Sequence, residues 1–270
     1  STSLDGSKAL HNINRPFKGG GETYDKVSQA IAKLRDNNIH VGAIETTSVY
    51  SFDYSKEIID TYKNMGFDSI FIRPLTPLGK ATRGWDKIGY DPGKFVEFYK
   101  KTFKYLLQIN KGGYYLKEVH ASLLLNKIFG GSVNYMDLRS PCGAGVGQLA
   151  YYSDGNIFTC DEGRMLYEMG DDTFCLGNVF NCSYNDLVSS GICKTVCASS
   201  VLESIPSCTD CVYQPYCGSC PVVNYALEKD VIEKYPRGYR CGIYSGILDC
   251  IFDILKEEDA DDINILKSWI

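Results

Sequence analysis

Apolar positions in the first 80 residues alternate between two periods. From Glu22 to about Asn37, Val27, Ala30, Ile31 and Leu34 fall at i, i+3, i+4 and i+7, which predicts a helix with one buried face. Ile58, Ile59, Tyr62 and Met65 do the same from Tyr54 to Met65, where Gly66 supplies a stop. Between and beside them lie short apolar runs. Thr2–Leu4 reads as the end of a strand turned by Asp5-Gly6, Ile39–Ile44 as a strand, and Phe67–Arg73 as another, stopped by Pro74. Strands alternating with helices of this length predict a parallel sheet of βαβ units. Three strands with an exposed edge make a poor domain on their own. The expectation is therefore the second half of a larger α/β barrel, over residues 1–90.

Residues 91–135 read as a helical connector. Phe95, Phe98, Tyr99, Thr102 and Leu106 mark one helix and Val119–Phe129 a second, separated by Gly112-Gly113. From Met136 the pattern changes, and 136–270 is expected to be a separate small α+β domain. Leu149–Tyr152 and Asn156–Thr159 are short and β-like, joined by Ser153-Asp154-Gly155, a hairpin signal because glycine accepts positive φ without penalty. Leu202–Pro221 is turn-rich, with too few apolar residues to hold a shape without cross-links or metal. Cys241 to Leu255 predicts a last helix.

Composition narrows the class. At 270 residues there is room for two units, and 44% hydrophobic with 23% charged residues is a globular balance. A net charge of −5 argues against nucleic acid or an anionic membrane as the main partner. No apolar run approaches the ~18 residues of a membrane span, and no secretory leader follows Ser1. A cytoplasmic location is expected. The chain opens on a strand end without Met, so a piece of a longer protein is also expected.

All twelve cysteines lie between Cys142 and Cys250. Disulfide frameworks usually serve small secreted domains that lack a core. Clustered thiols beside a core-rich α/β half point rather to metal. Two patterns stand out. Cys142 is followed by twelve residues, Gly155, four residues and Cys160, so that the hairpin can fold one cysteine towards the other. Cys208-x2-Cys211-x5-Cys217-x2-Cys220 follows, with Cys241 twenty residues further on. Zinc ribbons separate their two pairs by about 15–20 residues. A tight run ending Cys-Pro is closer to iron–sulfur grammar. Zinc and iron–sulfur both remain open on spacing alone.

The complete order of seven cysteines resembles the SPASM domain of radical S-adenosylmethionine (SAM) enzymes, with two residues before Cys220 where the family usually has three. Ser3-Leu4-Asp5-Gly6 resembles the fourth strand of the radical SAM barrel, and His11 to Arg15 the loop after it. Phe71-Ile72-Arg73-Pro74-Leu75 with Gly79 resembles the sixth strand. Gly145-Val-Gly147-Gln148-Leu-Ala150-Tyr151, Cys160-Asp161-Glu162-Gly163-Arg164-Met165 and Cys217-Gly218-Ser-Cys220-Pro221 resemble peptide maturases of the His-Xaa-Ser type. Nearly the whole chain is covered.

The resemblance implies two auxiliary [4Fe–4S] clusters, one on Cys142, Cys160 and Cys220 and the other on Cys208, Cys211, Cys217 and Cys241. The first has three matched ligands, leaving an open iron or a fourth ligand from Cys175, Cys182, Cys193 or Cys197. Asp161 takes the place of a catalytic base in sulfatase-maturing relatives, where a dry site would raise a carboxylate's pKa. Ser3 and Arg15 match positions that hold the SAM ribose and carboxylate, and Asp5 lies between them, able to shape the turn. Cys250 lies near an apolar stripe and is expected to be an inert buried thiol. His11, His40 and His120 show no ligand spacing.

The radical-generating Cys-x3-Cys-x2-Cys is absent: Cys193-x3-Cys197 would need a third cysteine where Ser200 stands. The expectation is the C-terminal part of a radical SAM peptide-modifying enzyme of the RiPP maturase kind, inactive alone. The full-length protein would add SAM and a third [4Fe–4S] cluster, act on a precursor peptide, and take electrons from a ferredoxin or flavodoxin. Two alternatives remain: a sulfatase-maturase-like dehydrogenase forming formylglycine, and a non-catalytic iron–sulfur or zinc module.

Overall fold

The computed structural model describes residues 1–131, 135–232 and 238–270, without the side chain of Lys80. It divides into two compact units. The first gathers three stretches, 1–75, 86–131 and 245–270; the second comprises 76–85 and 132–244. This differs from the expected three-part division. Residues 91–131 and 245–270 belong with the α/β stretch rather than to a connector and to the cysteine-rich domain. The last three positions but one of the expected connector, 132–134, lie outside the described residues.

The first unit is built on a four-stranded parallel sheet in the order β1 (Thr2–Ser3), β2 (Ala43–Thr47), β3 (Ser69–Pro74) and β4 (Lys117–Glu118). Ser3 pairs with Ile44, Ile44 with Phe71, and Ser69 with Lys117. Strand β2 begins later than the apolar run suggests. The Tyr24–Asp36 helix is closed by Asn38 at φ 58°, and the Ile39 N–H bonds back to the Leu34 carbonyl, leaving Ile39 exposed. Asparagine tolerates that left-handed conformation because its short polar side chain bonds locally.

The Ser55–Asn64 helix buries Ile58, Ile59 and Tyr62, the face read from the sequence. The Pro92–Lys111 helix packs against it. Its apolar stripe is part of an aromatic column rather than a spacer: Tyr90, Phe95, Tyr99 and Phe103 follow one another at 6.0, 5.9 and 5.5 Å, and Trp269 meets Phe103 edge-on at 5.5 Å. Trp269 lies just beyond a helix not foreseen, Ala260–Ser268, which Asp259 caps by accepting the Asp262 N–H at 2.9 Å.

Strand β4 is too short to show a period, and one carboxylate holds it in place. Glu118 is fully buried and accepts from the Tyr99 hydroxyl at 2.7 Å, the Ala121 N–H at 2.6 Å and the Ile72 N–H at 3.1 Å. Burial pushes its carboxyl up from 4.5 to about 7, against the pull of those donors. Between these values the folded protein holds a proton that the unfolded chain has released. The associated stability is complete below about pH 4.5 and is lost as pH rises through about 7, a change of about 3 kcal/mol. Urea unfolding at pH 5 and pH 8 checks this: Glu118→Gln is expected to gain on the native sequence by about that amount at the higher pH.

The second unit carries an antiparallel sheet in the order β5 (Ala150–Tyr151), β6 (Asn156–Phe158) and β7 (Cys175–Asn178). The expected hairpin is present, turning at Gly155 with φ 87° and closed by Tyr152 N–H to the Asn156 carbonyl at 2.9 Å. Strand β7 was not foreseen: Cys-Leu-Gly-Asn lacks the β-branched alternation that marks a strand. Leu202–Pro221 is folded as single turns, Leu202–Ser204, Pro206–Thr209 and Gln214–Tyr216. Among the described residues, no helix is long and apolar enough to cross a membrane.

Candidate active site and cysteine centre

Parallel sheets place ligand-binding groups beyond the carboxyl ends of their strands. In the first unit the chain leaving β1 carries Asp5, which is fully buried. Arg15, just past the Lys8–Asn14 helix, donates from Nε to Asp5 Oδ2 at 2.7 Å and from Nη2 to Thr46 Oγ1 at 3.1 Å. The Thr46 N–H donates to Asp5 Oδ1 at 3.1 Å. Asp5, Arg15 and β2 are thereby joined. Ser3 lies in β1, half-buried, two residues before Asp5. Arg15 keeps 36% of its side chain exposed, and its Nη1 makes no hydrogen bond among the described residues. The Asp5 N–H donates to His11 Nδ1 at 3.3 Å, which leaves the proton of a neutral ring on Nε2; burial lowers the pKa of this histidine.

Glu45, on β2, escaped the sequence reading. It is fully buried and accepts from Thr47 Oγ1 at 2.7 Å and Ser51 Oγ at 3.4 Å. Burial, and then the charge of Asp5, push its carboxyl well above the usual range. The available signal was an acid in the middle of a strand; the predicted strand stopped one residue before it.

In the second unit, Cys142, Cys160 and Cys220 lie in a single buried cluster with Leu166, Phe174 and Val222. Three separate segments meet there. Gly145 N–H bonds the Thr159 carbonyl at 2.8 Å, tying the loop after Cys142 to the end of the hairpin, and Cys142 N–H donates to Ser200 Oγ at 3.0 Å. Cys160 and Cys220 precede the Asp161–Tyr167 and Pro221–Glu228 helices. Gly218 lets the last segment in: a Cβ there would overlap the backbone carbonyl oxygen of Asp137. Burial raises all three thiols, Cys142 moderately, Cys160 strongly and Cys220 to about 12. Buried thiols of this kind ionise on binding metal, which releases their protons.

Cys208, Cys217 and Cys241 are half-buried and Cys211 is exposed, and none joins that cluster. The Cys211 N–H bonds the Cys208 carbonyl at 3.1 Å, so these two sit on one turn. Among the described residues, no three His, Cys, Asp or Glu side chains are arranged around a single metal ion. Of the unmatched thiols, Cys193 is buried and donates to the Gly145 carbonyl at 3.6 Å, next to the Cys142 loop, and Cys197 interacts with it one helical turn on. Cys182 packs against Gly177 of β7. Cys250, in the first unit, is a buried thiol raised to about 12.

Asp161 opens the Asp161–Tyr167 helix with 63% of its side chain exposed and pairs with Arg164 Nη2 at 2.8 Å. The dry surroundings expected for it are not found among the described residues, because the helix start places it on the surface. Its neighbour Arg164 also binds Glu168 at 2.5 Å.

No family model matches the chain. Two curated relatives do, both cysteine-type anaerobic sulfatase-maturating enzymes of Clostridium perfringens. That of strain ATCC 13124 is 22% identical and that of strain 13 is 23% identical, each over 252 residues and 93% of this chain. The chain spans 64% of their length. Among solved structures, native anSMEcpe with bound AdoMet matches 98% of this chain and 68% of its own, with TM-score 0.74 and 18% identity. Native anSMEcpe with bound AdoMet and Kp18Cys peptide gives the same coverage and identity with TM-score 0.75. Over nearly its whole length the chain is similar to these anaerobic sulfatase-maturating enzymes, and it shares the α/β fold of anSMEcpe.

Proposed function

We propose that the chain is the C-terminal part of a radical SAM enzyme that modifies a residue of a precursor peptide. The observation that carries this reading is the meeting of Cys142, Cys160 and Cys220, from three distant segments, in one buried cluster of the second unit. Their soft sulfur donors suit iron–sulfur ligation, and we assign them to one auxiliary [4Fe–4S] cluster. Cys208, Cys211, Cys217 and Cys241 are assigned to the second. When bound, SAM and a third, reducible cluster held upstream would supply the radical chemistry in the full-length protein.

This chain's own residues would bind and orient. Asp5 occupies Arg15 Nε and thereby fixes the guanidinium, while the unbonded Nη1 edge is offered to the SAM carboxylate. Ser3 would meet the ribose. An electron donor of the ferredoxin or flavodoxin class and a cytoplasmic location belong to the same reading.

The names of the curated relatives favour a second reading, oxidation of a peptide cysteine to formylglycine, with Asp161 accepting the proton. Incubating the full-length enzyme with cysteine-containing and His-Xaa-Ser peptides, and analysing products by mass spectrometry, distinguishes the two. For both, anaerobic purification with iron, sulfide and zinc determination is the first test. About eight iron atoms per chain, from two four-iron clusters, are expected; zinc without sulfide would sink both.

A further inference from the structure

One cation of the second unit is not explained by packing. Arg240 immediately precedes Cys241 and keeps only 16% of its side chain exposed. Nη2 donates to the Asp137 carbonyl at 3.2 Å and lies 3.4 Å from Asp137 Oδ1, and the guanidinium sits 4.6 Å from the centre of the Tyr244 ring. Its Nε is buried with no hydrogen-bond partner among the described residues. A buried donor left unmet costs about 1–3 kcal/mol, so an acceptor is expected nearby. The Asp137 carbonyl that takes the Nη2 bond is the one against which Gly218 packs, so Arg240 stands beside the segment running from Cys217 to Cys220, and its charge acts on Cys142, Cys217 and Cys220. These belong to both cysteine sets, Cys142 and Cys220 to one and Cys217 to the other.

We propose that Arg240 is a positioning residue for the auxiliary centres, its Nε–H donating to a cysteinyl or cluster sulfur and its charge stabilising their reduced state. The proposal rests on the cluster assignment above. A [4Fe–4S] cluster with thiolate ligands is anionic, and one-electron reduction adds negative charge. A buried cation and an N–H···S bond both favour that charge, and net charge and hydrogen bonds to sulfur are what set such potentials. Asp137 opposes the effect by drawing on the same guanidinium, so the pair sets the potential together.

The test is an EPR-monitored redox titration of the anaerobically reconstituted chain, with iron and sulfide measured on each sample. Arg240→Met is expected to move at least one cluster midpoint to more negative potential, and Asp137→Asn to move it to more positive potential. Arg240→Lys, which keeps the charge but not Nε, should stay nearer the native midpoint. In the native chain labelled with ¹⁵N-arginine, pulsed EPR should show a nitrogen coupling that both Arg240 variants lose. A native chain with clusters but no ¹⁵N coupling overturns the proposal. So does an unmoved midpoint in Arg240→Met, or in Asp137→Asn if Arg240→Met fails to hold iron. A native chain without iron and sulfide defeats the cluster assignment instead, so the two failures are distinguishable.

Discussion

Under the proposed function, Cys160→Ser is expected to lower the iron of the reconstituted chain from about eight atoms to about four, leaving one four-iron cluster. Cys160 is 3% exposed and lies in the same buried cluster as Cys142 and Cys220. A hydroxyl there is nearly the same size as the thiol but is a hard oxygen donor, poorly matched to iron–sulfur ligation. It would also be a buried polar group, costing roughly 1–3 kcal/mol if unpaired. The loss should therefore be specific to one cluster, with the second unit still folded. Cys250→Ser is the control, because that thiol lies in the first unit, and it should retain all the iron. Equal iron in Cys160→Ser and the native chain, by colorimetric assay, would remove Cys160 from the ligand set.

Arg15→Ala carries the second large effect. Asp5 is fully buried and its Oδ2 relies on Arg15 Nε, with Thr46 N–H serving Oδ1. Removing the guanidinium strands a carboxylate, and breaking a buried pair in this way costs about 3–5 kcal/mol. Arg15 is 36% exposed, so water can reach the vacated position and the lower end, about 3 kcal/mol, is expected. Urea unfolding of the first unit checks it. Adding Asp5→Asn should recover part of the loss, because the amide carries no charge to strand. Arg15→Lys should recover less than the native pairing, since an ammonium cannot bond Asp5 and Thr46 in the same plane. Under the proposed function, Arg15→Ala also weakens SAM binding in the full-length enzyme.

Much of this arrangement was legible because it follows from period and spacing. The helices over Tyr24–Asp36 and Ser55–Asn64, the Gly155 hairpin and the approach of Cys142 and Cys160 to one buried cluster were all read from local pattern. What escaped depends on tertiary context. Strand β4 is two residues long and exists through its pairing with β3 and the bonds to Glu118, neither of which has a period. Phe95, Tyr99 and Phe103 showed a helix but not what the helix covers, so a core element looked like a connector. Glu45 and Arg240 were invisible for a related reason. A charged side chain looks the same in a sequence whether solvated or buried, and only the fold shows that one is enclosed near Asp5 and the other between Asp137 and Tyr244.

The interleaving of the two units has a consequence for how the protein is made. The first unit needs residues 245–270, which contribute Trp269 to its aromatic column, yet the whole of the second unit is encoded before them. The α/β stretch thus lacks a wall of its core until after every residue of the second unit has been made. Domains tend to fold as units as they emerge. The first unit therefore cannot close as 1–131 is made; it waits on residues encoded beyond the whole of the second unit.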